Sequence, residues 1–274
     1  MLYFEEPVKG IDHTEATLFG YVPSNSPEID VKRTRPTVLI LPGGGYEMTS
    51  DREAEPIAIQ YLAAGFNAFV LHYSCSPSTY PTQLLEVAAA MRLLHDNAVE
   101  WHVDADRIAV VGFSAGGHLA ANFATSAGDD VERQYGYDPD ELRPAALLLA
   151  YPVVTAGEFA HRGSFDALLG DKNKNDSSAL DAVSIEKHID AKTPPVFVWH
   201  TVTDDTVPVE NTLQLIAACH AADVPVEAHL YPHGGHGLSL GTIETAWQGN
   251  PEAVEPCVQS WFSLSIDWLH RTLD

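Results

Sequence analysis

Short apolar runs alternate along this chain with longer stretches of helical character. Runs such as Leu39-Ile40-Leu41, Ile108-Ala109-Val110-Val111 and Val196-Phe197-Val198-Trp199 read as buried strands. Strands are predicted at 37–41, 67–72, 107–111, 145–151, 196–200 and 226–231, and helices at 55–64, 83–97, 115–125 and 211–222. A C-terminal helix is predicted around 258–271. Strand–helix alternation of this kind is the signature of a mostly parallel sheet flanked by helices. Residues around 17–22 are expected to add antiparallel strands at one edge. The segment 156–190, rich in Gly, Asn, Lys, Asp and Ser, breaks the alternation. It lies between two predicted strands of the same sheet, so it reads as a small cap over the strand C-termini rather than a linker. A single α/β domain spanning 1–274 is the expectation; the sequence holds no internal repeat.

Composition adds exclusions. The 274 residues are 45% hydrophobic and 19% charged, enough apolar material for a sizeable core. The formal charge is −23, which would repel nucleic acid and anionic membranes; neither is expected as a partner. Cys75, Cys219 and Cys257 are few, odd in number and widely spaced, so neither a disulfide framework nor a zinc motif is expected. The N-terminus, Met1-Leu2-Tyr3-Phe4-Glu5-Glu6-Pro7, has no basic region followed by an apolar one, and no signal peptide is expected. No apolar stretch approaches membrane-spanning length. A soluble, cytoplasmic protein is the expectation, and a homo-oligomer is compatible with the sequence.

The chemistry begins at Gly112-Phe113-Ser114-Ala115-Gly116, directly behind the apolar run 107–111 and ahead of His118-Leu119-Ala120-Ala121. A serine attacks a carbonyl only if its hydroxyl stands at the tip of a tight turn. Glycines two before and two after let a strand fold sharply into a helix there. The helix N-terminus then offers the Ala115 N–H to an oxyanion.

Such a serine needs a base, and the base needs an acid to orient it. In doubly wound hydrolases the chain order is serine, acid, histidine. The strand 196–200 runs into Thr201-Val202-Thr203-Asp204-Asp205-Thr206-Val207-Pro208, where either Asp204 or Asp205 fits the acid. The last strand runs into Pro232-His233-Gly234-Gly235-His236-Gly237, where His233 or His236 fits the base; the flanking glycines favour His236. A metal site is not expected, because no helical H-x-x-x-H or Cys partner accompanies these histidines. The run Pro42-Gly43-Gly44-Gly45-Tyr46 closes another predicted strand and leaves bare backbone N–H groups for an oxyanion. No Gly-Lys-Ser/Thr follows it, which disfavours a phosphate loop.

These residues resemble the α/β-hydrolase superfamily, and within it small bacterial acetyl esterases and acetylxylan-esterase-like enzymes. The resemblance runs through Leu41-Pro42-Gly43-Gly44-Gly45-Tyr46, Tyr80-Pro81-Thr82-Gln83 and Trp101-His102-Val103-Asp104. It continues through Gly112 to Ala120, then Trp199-His200-Thr201 with Asp204, Val207, Pro208 and Asn211, and closes at Pro232 to Gly237. It implies an α/β-hydrolase fold with the small cap at 156–190, and a catalytic set of Ser114, Asp204 and His236. It further implies oxyanion donors at the N–H groups of Gly44, Gly45 and Ala115. Pro42 departs from the His that precedes the glycines in many hormone-sensitive-lipase-type esterases. The implied activity is hydrolysis of short-chain, acetyl esters through an acyl-enzyme, with acetylated sugars or xylo-oligosaccharides as the substrate class and no cofactor. A feruloyl esterase, lactonase or peptidase on the same fold is the alternative; a catalytically silent binding module or a nucleotide-binding protein is the non-esterase one. Tyr46 and Tyr151 are expected to line the substrate pocket.

Overall fold

The apolar runs become the strands of one sheet. The structure is a computed structural model describing residues 1–11 and 14–274. In chain order the elements are β1 (Leu2–Lys9), β2 (Glu15–Val22), β3 (Arg35–Leu41), α1 (Glu55–Ala63), β4 (Asn67–His72) and α2 (Thr82–Asp96). There follow β5 (Val103–Phe113), α3 (Ser114–Ala124), α4 (Asp129–Gln134), α5 (Pro139–Leu142), β6 (Ala146–Ala150), α6 (Arg162–Asn173) and α7 (Ser177–Ala182). The chain closes with β7 (Val196–Thr201), α8 (Glu210–Ala221), β8 (Val226–Tyr231) and α9 (Ser260–Leu273).

The strand order is β1-β2-β4-β3-β5-β6-β7-β8. β1 and β2 pair antiparallel, as do β2 and β4, and every other pairing is parallel. The inner parallel strands are apolar on both faces because helices cover both, which is why they read as continuous runs, whereas the edge strand β8 alternates. Leu39, Leu41, Val110, Leu147 and Val198 pack under α2, α3 and α8. Val38, Ile40, Val111, Leu148, Phe197 and Trp199 pack under α1 and α9. β5 is longer than its apolar run, since Val103 also pairs with Arg35 through a polar stretch that hides the strand in the sequence.

The topology decides where a ligand can bind. After β3 the chain passes to β4 on one side, and β5 returns to the other side of β3. The loops leaving β3 and β5 therefore diverge, opening a crevice at the carboxyl ends of these two strands. The segment 156–190 forms α6 and α7; Phe165, Leu168 and Leu169 anchor α6 in the core.

Candidate active site

Ser114 sits at the elbow between β5 and α3. Its φ of 51° is left-handed, a strained conformation for a residue with a side chain. The flanking glycines are demanded by contact. A Cβ on Gly112 would stand 2.4 Å from the Gly116 carbonyl oxygen, and one on Gly116 would stand 2.2 Å from that of Leu41. All eleven residues of α3 are buried, so the helix runs through the core and aims its N-terminus at the crevice. Its first N–H groups, Ala115 among them, lack intrahelical acceptors.

The structure brings Ser114, His236 and Asp204 into one hydrogen-bonded chain. Ser114 Oγ lies 2.7 Å from His236 Nε2, and His236 Nδ1 lies 2.7 Å from Asp204 Oδ2. The Asp204 side chain is fully buried. Its Oδ1 accepts the Thr206 and Val207 N–H groups, both at 2.9 Å. Burial opposes the charge, but hydrogen bonds from His200 and His236 outweigh it and hold the Asp204 carboxyl well below the usual carboxylate range. The two residues that spacing alone also allowed lie outside this chain of bonds. Asp205 is exposed and, among the described residues, accepts only the Thr206 hydroxyl, at 3.3 Å. His233 is likewise exposed.

Sequence reasoning gave His200 no role. It is fully buried, with Nε2 at 3.2 Å from Asp204 Oδ2 and 3.0 Å from the Val207 carbonyl oxygen. That carbonyl only accepts, so Nε2 carries the proton, and Nδ1 accepts the Thr212 hydroxyl at 2.7 Å. A histidine four residues before the acid was the available signal. Its meaning depended on the loop folding back onto β7.

The glycine loop after β3 faces the same crevice. The Gly43 N–H is already used, donating to Glu53 Oε2 at 2.8 Å. Gly44 and Gly45, with φ of 131° and 66°, border the cavity, and their N–H groups make no hydrogen bond among the described residues. A Cβ on Gly44 would lie 2.2 Å from the Met48 carbonyl oxygen, so only glycine fits there.

The expectation for the two tyrosines is corrected. Tyr46 and Tyr151 are each 1% exposed and neither borders the cavity. The Tyr46 hydroxyl lies 2.7 Å from His118 Nδ1. His118 Nε2 in turn donates to the Val183 carbonyl at 2.7 Å, and burial pushes its pKa down to about 4. Tyr151 packs edge-on beneath the His236 ring, with centroids 5.1 Å apart. Its hydroxyl donates to Glu53 Oε1 at 2.6 Å and accepts the Ser239 N–H at 2.9 Å. Glu53 thus joins the histidine loop to the glycine loop from below. An aromatic next to a strand end carries no mark in the sequence to say which way its ring turns.

The cavity above Ser114 has a volume of about 320 Å³. Besides Ser114, His236 and the two glycines, its wall includes Arg52, His161, Met48 and Trp247. Arg52 donates to the Gly237 and Thr245 carbonyls at 2.8 and 3.1 Å and lies over the Trp247 ring. His161 comes from the cap. Its Nδ1 accepts the Ser164 N–H at 3.3 Å at the start of α6, so Nε2 carries the proton; burial lowers its pKa. Among the described residues no group of three or more His, Cys, Asp or Glu side chains is gathered to hold a metal. No helix among them is long and apolar enough to cross a membrane.

A mostly parallel eight-stranded sheet, with an elbow serine at the crevice beside its central strand, defines the α/β-hydrolase fold. The chain belongs to the BD-FAE family, whose profile matches residues 27–218. It is similar to endo-1,4-beta-xylanase B of Butyrivibrio fibrisolvens, 33% identical over 253 residues, which are 90% of this chain and 39% of that protein. The acetylxylan esterase of Xylanibacter ruminicola is 29% identical over 206 residues, 74% of this chain and 41% of that protein. The chain therefore spans about two fifths of the length of these curated relatives. Among solved structures, the acetyl ester-xyloside bifunctional hydrolase of Caldicellulosiruptor lactoaceticus aligns with a TM-score of 0.79 at 36% identity. That alignment covers 94% of this chain and 88% of the other.

Proposed function

We propose that this protein is a serine carboxylesterase that removes acetyl groups from hydroxylated substrates, acetylated sugars foremost. The observation that carries the reading is the hydrogen-bonded chain from Ser114 through His236 to Asp204, beside the uncommitted N–H groups of Gly44 and Gly45. His236 Nε2 takes the Ser114 proton as Oγ attacks the ester carbonyl carbon. The carbonyl oxygen gains the negative charge and sits against the N–H groups of Gly44, Gly45 and Ala115. His236 then gives its proton to the leaving alkoxide. In the second half it takes a proton from water, whose oxygen attacks the acyl carbon, and returns that proton to Ser114 Oγ as acetate leaves. Asp204 keeps the other imidazole proton on Nδ1 and stabilises the imidazolium. His161 Nε2–H, presented from the cap, is placed to donate to the alcohol portion.

Several observations support a short acyl group. The cavity is at the small end for a ligand site, and Met48 and Trp247 are the large apolar side chains on its wall. A long acyl chain would outgrow a cavity of about 320 Å³. The names of the similar proteins, an acetylxylan esterase and an acetyl ester-xyloside hydrolase, point the same way. Trp247, 58% exposed at the rim, favours an aryl acyl group such as feruloyl as the second reading. The test is a panel of 4-nitrophenyl esters from acetyl to decanoyl plus methyl ferulate, with Ser114→Ala as blank. Activity should fall with chain length and vanish in the variant. A profile rising toward decanoyl refutes the acyl assignment; wild-type turnover by S114A refutes the nucleophile.

A further inference from the structure

A second cavity, of about 610 Å³, lies on the sheet face beyond α1. The outer strands β1 and β2 extend past the helix that covers that face. Strand pairing puts Tyr3 opposite Tyr21, and the two-residue period puts Phe19 on the same face as Tyr21. Tyr3 and Tyr21 rings lie 5.3 Å apart, tilted by 56°, and Phe19 meets His72 edge-on at 5.1 Å. Asp51 and Glu55, from the turn before α1 and its first residue, form the opposite wall. The Tyr21 residue is only 6% exposed, but its hydroxyl is not buried: it borders the cavity and makes no hydrogen bond to the protein among the described residues. A phenol hydroxyl uncommitted to the protein at a cavity wall is free to exchange water for a ligand hydroxyl.

The groove adjoins the catalytic cavity. The turn Asp51–Glu53 separates them: Asp51 borders the outer groove, while Arg52 and Glu53 border the cavity above Ser114. We propose that this groove is an accessory subsite for the sugar units of an oligosaccharide whose acetyl group lies at Ser114. A neutral pyranose offers C–H faces to aromatic rings and hydroxyl edges to carboxylates, which matches one aromatic wall and one acidic wall. Anionic ligands are repelled by Asp51 and Glu55. A long acyl chain would desolvate both carboxylates without replacing their hydrogen bonds. An organic cation would also meet aromatic rings and acids. Its position one turn away from a cavity whose proposed substrate is a sugar ester favours the saccharide.

The inference rests on the esterase reading, and the experiment separates the two. Acetylated xylotetraose and 4-nitrophenyl acetate are compared as substrates of wild type, Tyr3→Ala and Tyr21→Phe. Tyr3 is 49% exposed and Tyr21→Phe removes one oxygen, so both variants should fold. The expected result is a roughly 3- to 10-fold rise in KM for the tetraose, at unchanged kcat and unchanged 4-nitrophenyl acetate kinetics. Equal KM values in all three proteins overturn the subsite while leaving the esterase intact. If wild type hydrolyses neither ester, the esterase reading falls. Titration of unacetylated xylotetraose then decides the groove: binding weakened by Tyr3→Ala upholds it, and absence of binding overturns it. Binding of tetramethylammonium but not xylotetraose overturns it in favour of a cation site.

Discussion

Replacing Asp204 by Asn tests the proposed mechanism at one atom. Two backbone N–H groups, of Thr206 and Val207, point at Oδ1 from 2.9 Å and require an acceptor there. The Asn amide must therefore place its oxygen at Oδ1 and its NH2 at the Oδ2 position. The NH2 would then face His236 Nδ1, now 2.7 Å from the carboxylate, and donate to it. Donation to Nδ1 drives the ring proton onto Nε2, the nitrogen that must be bare to accept from Ser114. The NH2 would also oppose His200 Nε2–H, leaving that group bonded to the Val207 carbonyl alone. Wrong-tautomer substitutions in serine hydrolases lower kcat by about 10⁴, equivalent to roughly 5.5 kcal/mol in the barrier. Lost charge-assisted hydrogen bonds should destabilise the fold by about 1–3 kcal/mol. The assay is 4-nitrophenyl acetate hydrolysis at neutral pH, alongside thermal melts of D204N and of Asp205→Asn as the neighbouring control. D205N should retain full activity, because Asp205 is exposed and among the described residues accepts only a 3.3 Å hydroxyl bond. D204N keeping a tenth or more of wild-type kcat, or D205N proving inactive, refutes the assignment.

Three further outcomes follow from the geometry. Gly44→Ala should lower kcat by about 10²–10³ with little change in KM, because its Cβ meets the Met48 carbonyl at 2.2 Å and displaces the N–H groups proposed to hold the oxyanion; unchanged kcat would remove Gly44 from the site. Tyr151→Phe should destabilise by about 1–3 kcal/mol by stranding Glu53 Oε1 and the Ser239 N–H. A raised KM at unchanged stability would instead make Tyr151 a substrate contact. Glu132 is fully buried, both its carboxylate oxygens lack partners among the described residues, and burial pushes its pKa up to about 8. The native state then holds a proton that the unfolded chain releases near pH 4.3, so stability is full below that and falls as pH rises through about 8. Glu132→Gln, which cannot ionise, should melt higher than wild type at pH 9 and show no such advantage at pH 4; parallel melting profiles across that range would refute the assignment.

Strands were legible by two patterns. The range 67–72 matches β4, whose core is a continuous apolar run, and 226–231 matches β8, where apolar and polar residues alternate. β1 was not legible as an individual strand: its alternating exposed and half-buried residues carry signal only when paired with β2. The elbow at Ser114 was legible because its glycines answer a local steric demand from residues four apart and from the adjoining strand end. Directions were harder. The rings of Tyr46 and Tyr151 turn into the core, and Glu53, Arg52 and His161 reach the crevice from segments with no motif.

By itself the sequence determined what is local or periodic: the strand–helix alternation, the sharp turn at Ser114, the bare glycines after β3 and a short list of acids and histidines. Residue spacing left two acids and two histidines open; the family resemblance pointed to Asp204 and His236, and the tertiary structure brings those two to the serine. That choice rests on the loops after β7 and β8 folding toward each other, with Asp204 gripped by two backbone N–H groups and His200 while Asp205 turns to solvent. Contacts between residues 32 and 122 positions apart, as from His236 to Asp204 and to Ser114, leave no periodic trace along the chain. They exist because the sheet stacks the carboxyl ends of its strands at one edge.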